Sequence, residues 1–215
     1  MSQDIKKAAQ GLGLEEVNTD IVIQYIARDI LLTLRGRGNL DQKKVEQAYK
    51  SMYPNGVWEI EGNSEKQENK EKILSTLLLG PPGHGKTTTF KAAAKKVAEA
   101  LGLNFVINPP DSYRPTNDDF LFVSQEFSAE NSKMEIGGIP AKAVDESSGA
   151  EYMVKLFNGR IARLEQAGAS LLLLDDFPNA SPSIQNIGLS LTDEKRLQGL
   201  DLPYTYIGLT GNLGS

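Results

Sequence analysis

Gly80-Pro81-Pro82-Gly83-His84-Gly85-Lys86-Thr87 follows an apolar run, Ile73 to Leu79, and leads into an amphipathic stretch, Lys86 to Leu101. The segment matches the phosphate-binding pattern G-x-x-x-x-G-K-[ST], and a strand before it with a helix after it is the setting that pattern requires. Glycines let successive backbone N–H groups converge on phosphate oxygens, and the positive end of the following helix points at the same place. The spacing nominates Gly80, Pro81, Pro82, Gly83, His84, Gly85, Lys86, Thr87 and Thr88 as nucleotide-binding residues. Lys86 would direct a point charge at the β- and γ-phosphates, and the Thr87 hydroxyl would ligate Mg²⁺. His84 stands at a variable position of the pattern, so its backbone, and not its ring, is expected to meet phosphate.

Outward from this segment, short apolar runs alternate with amphipathic stretches, the pattern of a parallel sheet covered by helices. Strands are predicted at 73–79, 104–107, 171–174 and 205–209. Helices are predicted at 86–101, with Phe90, Ala94, Val97 and Leu101 inward, and at 150–167, with Met153, Leu156, Phe157, Ile161 and Leu164 inward. Residues 109–149 are richer in Gly, Pro, Ser and Asp and read as loops with a hairpin around Phe120–Ile136. Upstream, Ile23, Ile26, Ala27, Ile30, Leu31 and Leu34 make one helical stripe from Asp20 to Arg35, capped by Asn18 or Thr19. A second helix runs from Asp41 to Tyr53. The stretch from Glu61 to Lys72 is charge-rich without an apolar period and reads as a solvated linker. The expected organisation is therefore a helical hairpin and linker over 1–65 and an α/β core over 66–215, with a parallel sheet between two helical layers.

The 215-residue chain is 40% hydrophobic and 24% charged, which suits a folded α/β domain with a small appendage. Its formal charge of −5 argues against a chain-wide basic surface for nucleic acid. With no cysteine and one histidine, thiolate zinc sites, disulfides, cysteine nucleophiles and multi-histidine metal sites are excluded. No run approaches the ~20 apolar residues that span a bilayer, and the polar start lacks a signal-peptide core. A soluble, cytoplasmic protein is expected.

Acid–base work then falls to carboxylates, lysines and hydroxyls. Leu171-Leu172-Leu173-Leu174-Asp175-Asp176 reads as a buried strand ending in two acids, at the carboxyl edge where parallel sheets hold ligands. Asp175 would hold Mg²⁺ and Asp176 would orient or deprotonate an attacking water. Asn212, at the end of the last strand, could bond phosphate or that water, or sit in a plain Gly-Asn turn. Arg35 and Arg37 flank glycine and read as a solvated helix end.

Together the loop at 80–87, the acids at 175–176 and Asn212 resemble the first, second and sensor-1 motifs of the AAA+ ATPases, over about residues 70–215. The finer likeness is to the MoxR-like branch, whose members often accompany von Willebrand factor A proteins. Met134-Glu135-Ile136-Gly137-Gly138-Ile139-Pro140 resembles that branch's "GlP" insert. Pro178-Asn179-Ala180 through Ile184-Gln185-Asn186 resembles a second segment of it, and Leu202-Pro203 precedes the sensor strand.

The resemblance implies a P-loop NTPase three-layer αβα core using ATP and Mg²⁺. Lys86, Asp176 and Asn212 would be catalytic, and Thr87 and Asp175 the metal ligands. It further implies a homo-oligomeric ring, most often a hexamer, that remodels a protein client such as a von Willebrand factor A domain protein, with the 109–149 region facing client or pore. Nucleic acid is the less favoured partner, no membrane is expected, and the setting would be a bacterial or phage-infected cell.

Two departures bear on activity. The family has Asp-Glu where this chain has Asp175-Asp176, so the base is shorter by a methylene, roughly 1.5 Å, and a misplacement of ~1 Å can cost ~10²-fold in rate. The family also continues past the sensor into an arginine finger, a fifth strand and a helical lid. The lid is absent from this chain, which is expected to be incomplete at its C-terminus. Two alternatives to an active remodeller follow: a low-turnover nucleotide-gated switch, and a DNA-associated loader or remodeller.

Overall fold

The computed structural model describes residues 18–58, 73–127, 138–197 and 199–212. Helix α1, Thr19–Thr33, starts where Asn18 Oδ1 accepts from the Asp20 N–H at 2.8 Å. Helix α2, Gln42–Met52, starts where Asp41 does the same for Lys43 at 3.0 Å. Both are side-chain N-caps, each satisfying a backbone donor that the helix leaves unpaired. Strand β1, Thr76–Gly80, feeds the glycine loop, and helix α3 spans Lys86–Leu101. Strands β2, Asn104–Ile107, and β3, Asp119–Glu126, follow, and then a hairpin of β4, Ile139–Val144, and β5, Glu151–Leu156. A short helix α4, Gly159–Ala162, and a 3₁₀ turn lead to β6, Ala169–Asp175. Helix α5, Pro182–Glu194, the two-residue strands β7, Arg196–Leu197, and β8, Leu200–Asp201, and β9, Thr205–Asn212, complete the described chain.

The central sheet has five strands in the order β1-β9-β6-β3-β2, every pair parallel. Side-chain alternation divides its core in two. Phe120, Phe122, Leu171, Leu173 and Tyr206 face α1 and α3, sharing one buried cluster with Ile26, Ile30, Leu31, Phe90, Ala94 and Val97. Leu121, Val123, Leu172, Leu174, Ile207 and Leu209 face α5 and the turns around Leu164. Helices thus cover both faces, giving the α/β three-layer architecture. Gly208 is needed in β9 because the Phe90 ring of α3 lies where a Cβ would stand.

Two sequence expectations are overturned. Residues 119–126 form a central strand rather than part of a loop-borne hairpin. Phe120-Leu121-Phe122-Val123 is buried on both faces, which is the signature of an interior parallel strand. The expected helix at 150–167 is a strand, a short helix and a 3₁₀ turn. Its apparent stripe joins exposed Met153 and Leu156, which belong to the β4–β5 hairpin, to buried Ile161 and Leu164, which do not. Asn158 breaks the two apart by capping α4, its Oδ1 accepting from Ile161 N at 2.9 Å. The linker expected over Glu61–Lys72 and most of the insert at 134–140 lie outside the described residues.

Arg37 corrects a third expectation. It is 2% exposed, not solvated. Its Nη1 donates to Glu165 Oε2 at 3.0 Å, and its Nη2 to the carbonyls of Glu165 and Ala167 at 2.8 and 2.5 Å. Glu165 Oε1 in turn accepts from Tyr204 N and Thr205 Oγ1, so the end of the helical hairpin is tied to the entries of both β6 and β9. Burial lowers the Arg37 pKa against the pull of Glu165. Arg35 is half-buried, donating to the Trp58 carbonyl at 2.9 Å with its guanidinium over the indole ring.

Asp119 performs a comparable task at the start of β3, being 4% exposed. Burial opposes its charge, but donors from Thr116, Asn104 and Tyr113 outweigh burial and hold the carboxyl below its ordinary value. A carboxylate so depressed adds stability above its unfolded pKa near 4, and that contribution disappears as pH falls through the folded value. Asp119→Ala is expected to cost about 2–3 kcal/mol at pH 7. In urea unfolding, the gap between wild type and variant should narrow steadily below pH 4; a gap constant down to pH 2.5 would contradict this.

Candidate nucleotide site

The glycine loop leaves β1 at the carboxyl edge of the sheet. Gly83 and Gly85 adopt positive φ, 76° and 74°, a region open to glycine without steric cost. Gly85 is the N-cap of α3 and supplies no side-chain oxygen, so the first N–H groups of the helix keep their donor capacity. A Cβ built on Gly83 would meet nothing within 4 Å, so the outer side of the loop is open. Pro82, His84 and Thr88 are exposed, Pro81 is half-buried and Gly80 is buried. The His84 ring nitrogen Nδ1 lies 3.1 Å from the Pro82 carbonyl in an exposed contact. Thr89, one turn into α3, donates its hydroxyl back to the Gly85 carbonyl at 3.0 Å and is buried.

Register carries the other residues to this loop. Gly80 pairs with Asn212 across β1 and β9, and β6 lies on the far side of β9. Lys86 Nζ donates to the Gly80 and Pro81 carbonyls and to Asn212 Oδ1, all at 2.9 Å. Asn212 Nδ2 donates to Asp176 Oδ1 at 3.1 Å, so one amide spans the lysine and the second acid. Thr87 Oγ1 donates to Asp175 Oδ2 at 3.3 Å. Partial burial lowers the Lys86 pKa, opposed by the negative charges of Asp175 and Asp176. Of the residues read separately from the sequence, Lys86, Asn212 and Asp176 thus form one hydrogen-bonded chain, and Thr87 and Asp175 a second.

Two further residues belong to this arrangement. Thr210 donates its hydroxyl to Asp175 Oδ1 and accepts from the Asp176 N–H at 3.1 Å, fixing both acids to β9. Asn179 Nδ2 donates to Asp176 Oδ1 at 2.8 Å from the 3₁₀ turn after β6. Asp176 itself has left the strand, with φ 59° and ψ 32°, a left-handed conformation that aspartate tolerates better than most residues. Thr210 was detectable as the residue two before Asn212, hence on the same face of a strand. Gln185, inside the second family-like segment, holds the turn by donating to the Pro178 and Ala180 carbonyls at 2.9 and 3.0 Å.

The donor set fits a magnesium-bound nucleoside triphosphate. Hard oxygen donors, one hydroxyl and one carboxylate, meet beside a loop of unspent N–H groups and a primary ammonium. Among the described residues no three His, Asp or Glu side chains converge to hold a metal unaided. Two protein ligands with the remaining positions filled by phosphate and water is the ordinary arrangement for Mg²⁺.

A phosphate loop after one strand of a parallel sheet, with an acidic strand end across the intervening strand, defines a P-loop NTPase fold. No family model matches the chain, and no curated protein does. Among solved structures it is similar to that of a candidate ATPase from Cytophaga hutchinsonii ATCC 33406, at 16% identity and a TM-score of 0.35, over 66% of this chain and 35% of that one. The chain therefore spans about a third of the length of that protein, and the fold class rests on the strand order and loop described above. No helix among the described residues is long and apolar enough to cross a membrane.

Proposed function

We propose that this chain is an ATP-binding and ATP-hydrolysing AAA+ module of the MoxR-like kind, cytoplasmic, that assembles as a ring and couples nucleotide state to remodelling of a protein client. The observation that carries the ATPase reading is the hydrogen-bonded chain from the Lys86 ammonium through Asn212 to Asp176, with Thr87 on Asp175 beside it. A glycine loop built for structure alone has no need of acids brought from a different strand.

In this reading the N–H groups of residues 83–88 cradle phosphate oxygens, and the Lys86 ammonium exchanges its carbonyl partners for the β- and γ-phosphates. Thr87 and Asp175 hold Mg²⁺, which when bound neutralises charge developing on the phosphates. Thr210 keeps the Asp175 carboxylate turned toward Thr87. Asn212 and Asp176 flank the place an attacking water would take. The MoxR-like assignment draws on the family-like segments at 134–140, 178–186 and 202–203. A ring, a von Willebrand factor A partner and a protein client follow from that likeness, and the acidic composition disfavours nucleic acid.

The test is binding of a fluorescent ATP analogue with and without Mg²⁺, together with phosphate release. Wild type should bind more tightly with Mg²⁺ and release phosphate at roughly 1 per second, within the ordinary enzyme range. Asp175→Asn should keep metal-free binding and lose most of the magnesium enhancement, about tenfold or more. No binding by wild type would overturn the proposal. Tight binding without turnover would leave the nucleotide-gated switch.

A further inference from the structure

The sheet edge that carries the phosphate loop presents one more carboxylate. Glu126, the last residue of β3, stands in register with Asp175 across the β3–β6 ladder. Parallel neighbours in register lie about 4.8 Å apart and point to the same face. On that face Phe120 and Phe122 of β3 and Leu171 and Leu173 of β6 pack under α1 and α3. Two residues past each last buried pair come Ser124 and then Glu126 on β3, and Asp175 on β6. Thr210 and Asn212 continue the same face on β9, two and four residues past Gly208 and its contact with Phe90. The α3 side of the edge therefore reads Asn212, Thr210, Asp175, Glu126 from β9 to β3. The ladder runs one residue further, Phe127 N donating to Asp175 O at 2.7 Å, so the backbone of Glu126 is held as strand.

Asp176 is placed less well for the role that a second acid fills. It lies beyond the strand in a left-handed turn, and one carboxylate oxygen takes both the Asn179 and Asn212 amides. It is also a methylene shorter than glutamate. Glu126 is longer, exposed and fixed at its Cα.

Resting on the ATPase reading above, we propose that Glu126 is the catalytic carboxylate that holds the attacking water and takes its proton, with Asp176 as a positioning residue acting through Asn212. In that step the water oxygen forms a bond to the γ-phosphorus while the bond from that phosphorus to the β–γ bridging oxygen breaks. The bond's electron pair leaves with ADP, and the proton lost by water passes to Glu126 and on to solvent.

The experiment uses the full chain with MgATP, comparing wild type, Glu126→Gln and Asp176→Asn. It reads affinity for a fluorescent ATP analogue, single-turnover phosphate release, and the ATP to ADP ratio of nucleotide recovered on the protein. Glu126→Gln should bind within about twofold of wild type, release phosphate ~10²–10³-fold more slowly, and carry uncleaved ATP. Asp176→Asn should lose about tenfold. Glu126 is exposed, so the glutamine variant should melt within about 2 °C of wild type. Release by Glu126→Gln within threefold of wild type, with Asp176→Asn inactive, overturns the assignment and leaves the ATPase intact. Loss of nucleotide affinity in Glu126→Gln also overturns it, by making Glu126 a binding residue. Wild type that binds but never cleaves removes the role while sparing nucleotide binding, and wild type that binds nothing removes the function itself.

Discussion

Lys86→Ala is expected to lower ATP turnover by about 10²–10³-fold and to weaken nucleotide affinity by at least about tenfold, because a positioned cation opposite developing phosphate charge is worth several kcal/mol in a partly desolvated site. The same ammonium holds the Gly80 and Pro81 carbonyls and Asn212. Its loss therefore also releases the link that runs through Asn212 to Asp176. Lys86→Arg should restore little, since a planar fork does not replace a compact point charge at three converging acceptors. Phosphate release and binding of a fluorescent ATP analogue, measured on the same preparations, check both numbers. Unchanged ATP affinity in Lys86→Ala would remove the basis of the nucleotide site.

The largest effect on stability should come from Arg37→Ala, at about 3–5 kcal/mol, the usual cost of deleting one partner of a buried ion pair. Four hydrogen bonds are lost, to Asn39, the Glu165 side chain, and the carbonyls of Glu165 and Ala167. The Glu165 carboxylate stays behind with only Tyr204 N and Thr205 Oγ1 as donors. Arg37→Lys should recover part of the loss, since an ammonium can reach one or two of these acceptors but not span them. Urea unfolding of the three proteins at pH 7 measures the difference. A cost below about 1 kcal/mol would mean that the hairpin is held by apolar packing alone.

What the sequence disclosed about the site was local. The loop, its helix and the acidic strand end each lie within one short segment whose residue order carries the chemistry, so Lys86, Thr87, Asp175 and Asp176 were readable in advance. Thr210, Asn179 and Arg37 were not assigned roles, because each gains its meaning from a partner fixed by strand register or by chain far away. Arg37 and Glu165 are 128 residues apart, and no periodicity reports such a pairing. The missed strand had a readable signal: four consecutive apolar residues from Phe120 to Val123 fit a strand buried on both faces better than a hairpin arm. Residues 153–164 misled for the opposite reason. Their apolar spacing fits a helix, yet the Asp145 turn, with Ser147 and Ser148 bonded to its carboxylate, folds β5 back along β4.

The α1–α3 packing carries a practical corollary. Helix α3, which presents the glycine loop, packs against α1 over the same face of the sheet, and Ile26, Ile30 and Leu31 are sealed with Phe90 and Tyr206 in a common interior. Cutting the protein at the charged connector would unroof that interior and leave oily residues of the α/β part facing water. The two parts that composition separates should therefore be handled as one piece, since the second, expressed alone, would be prone to clump.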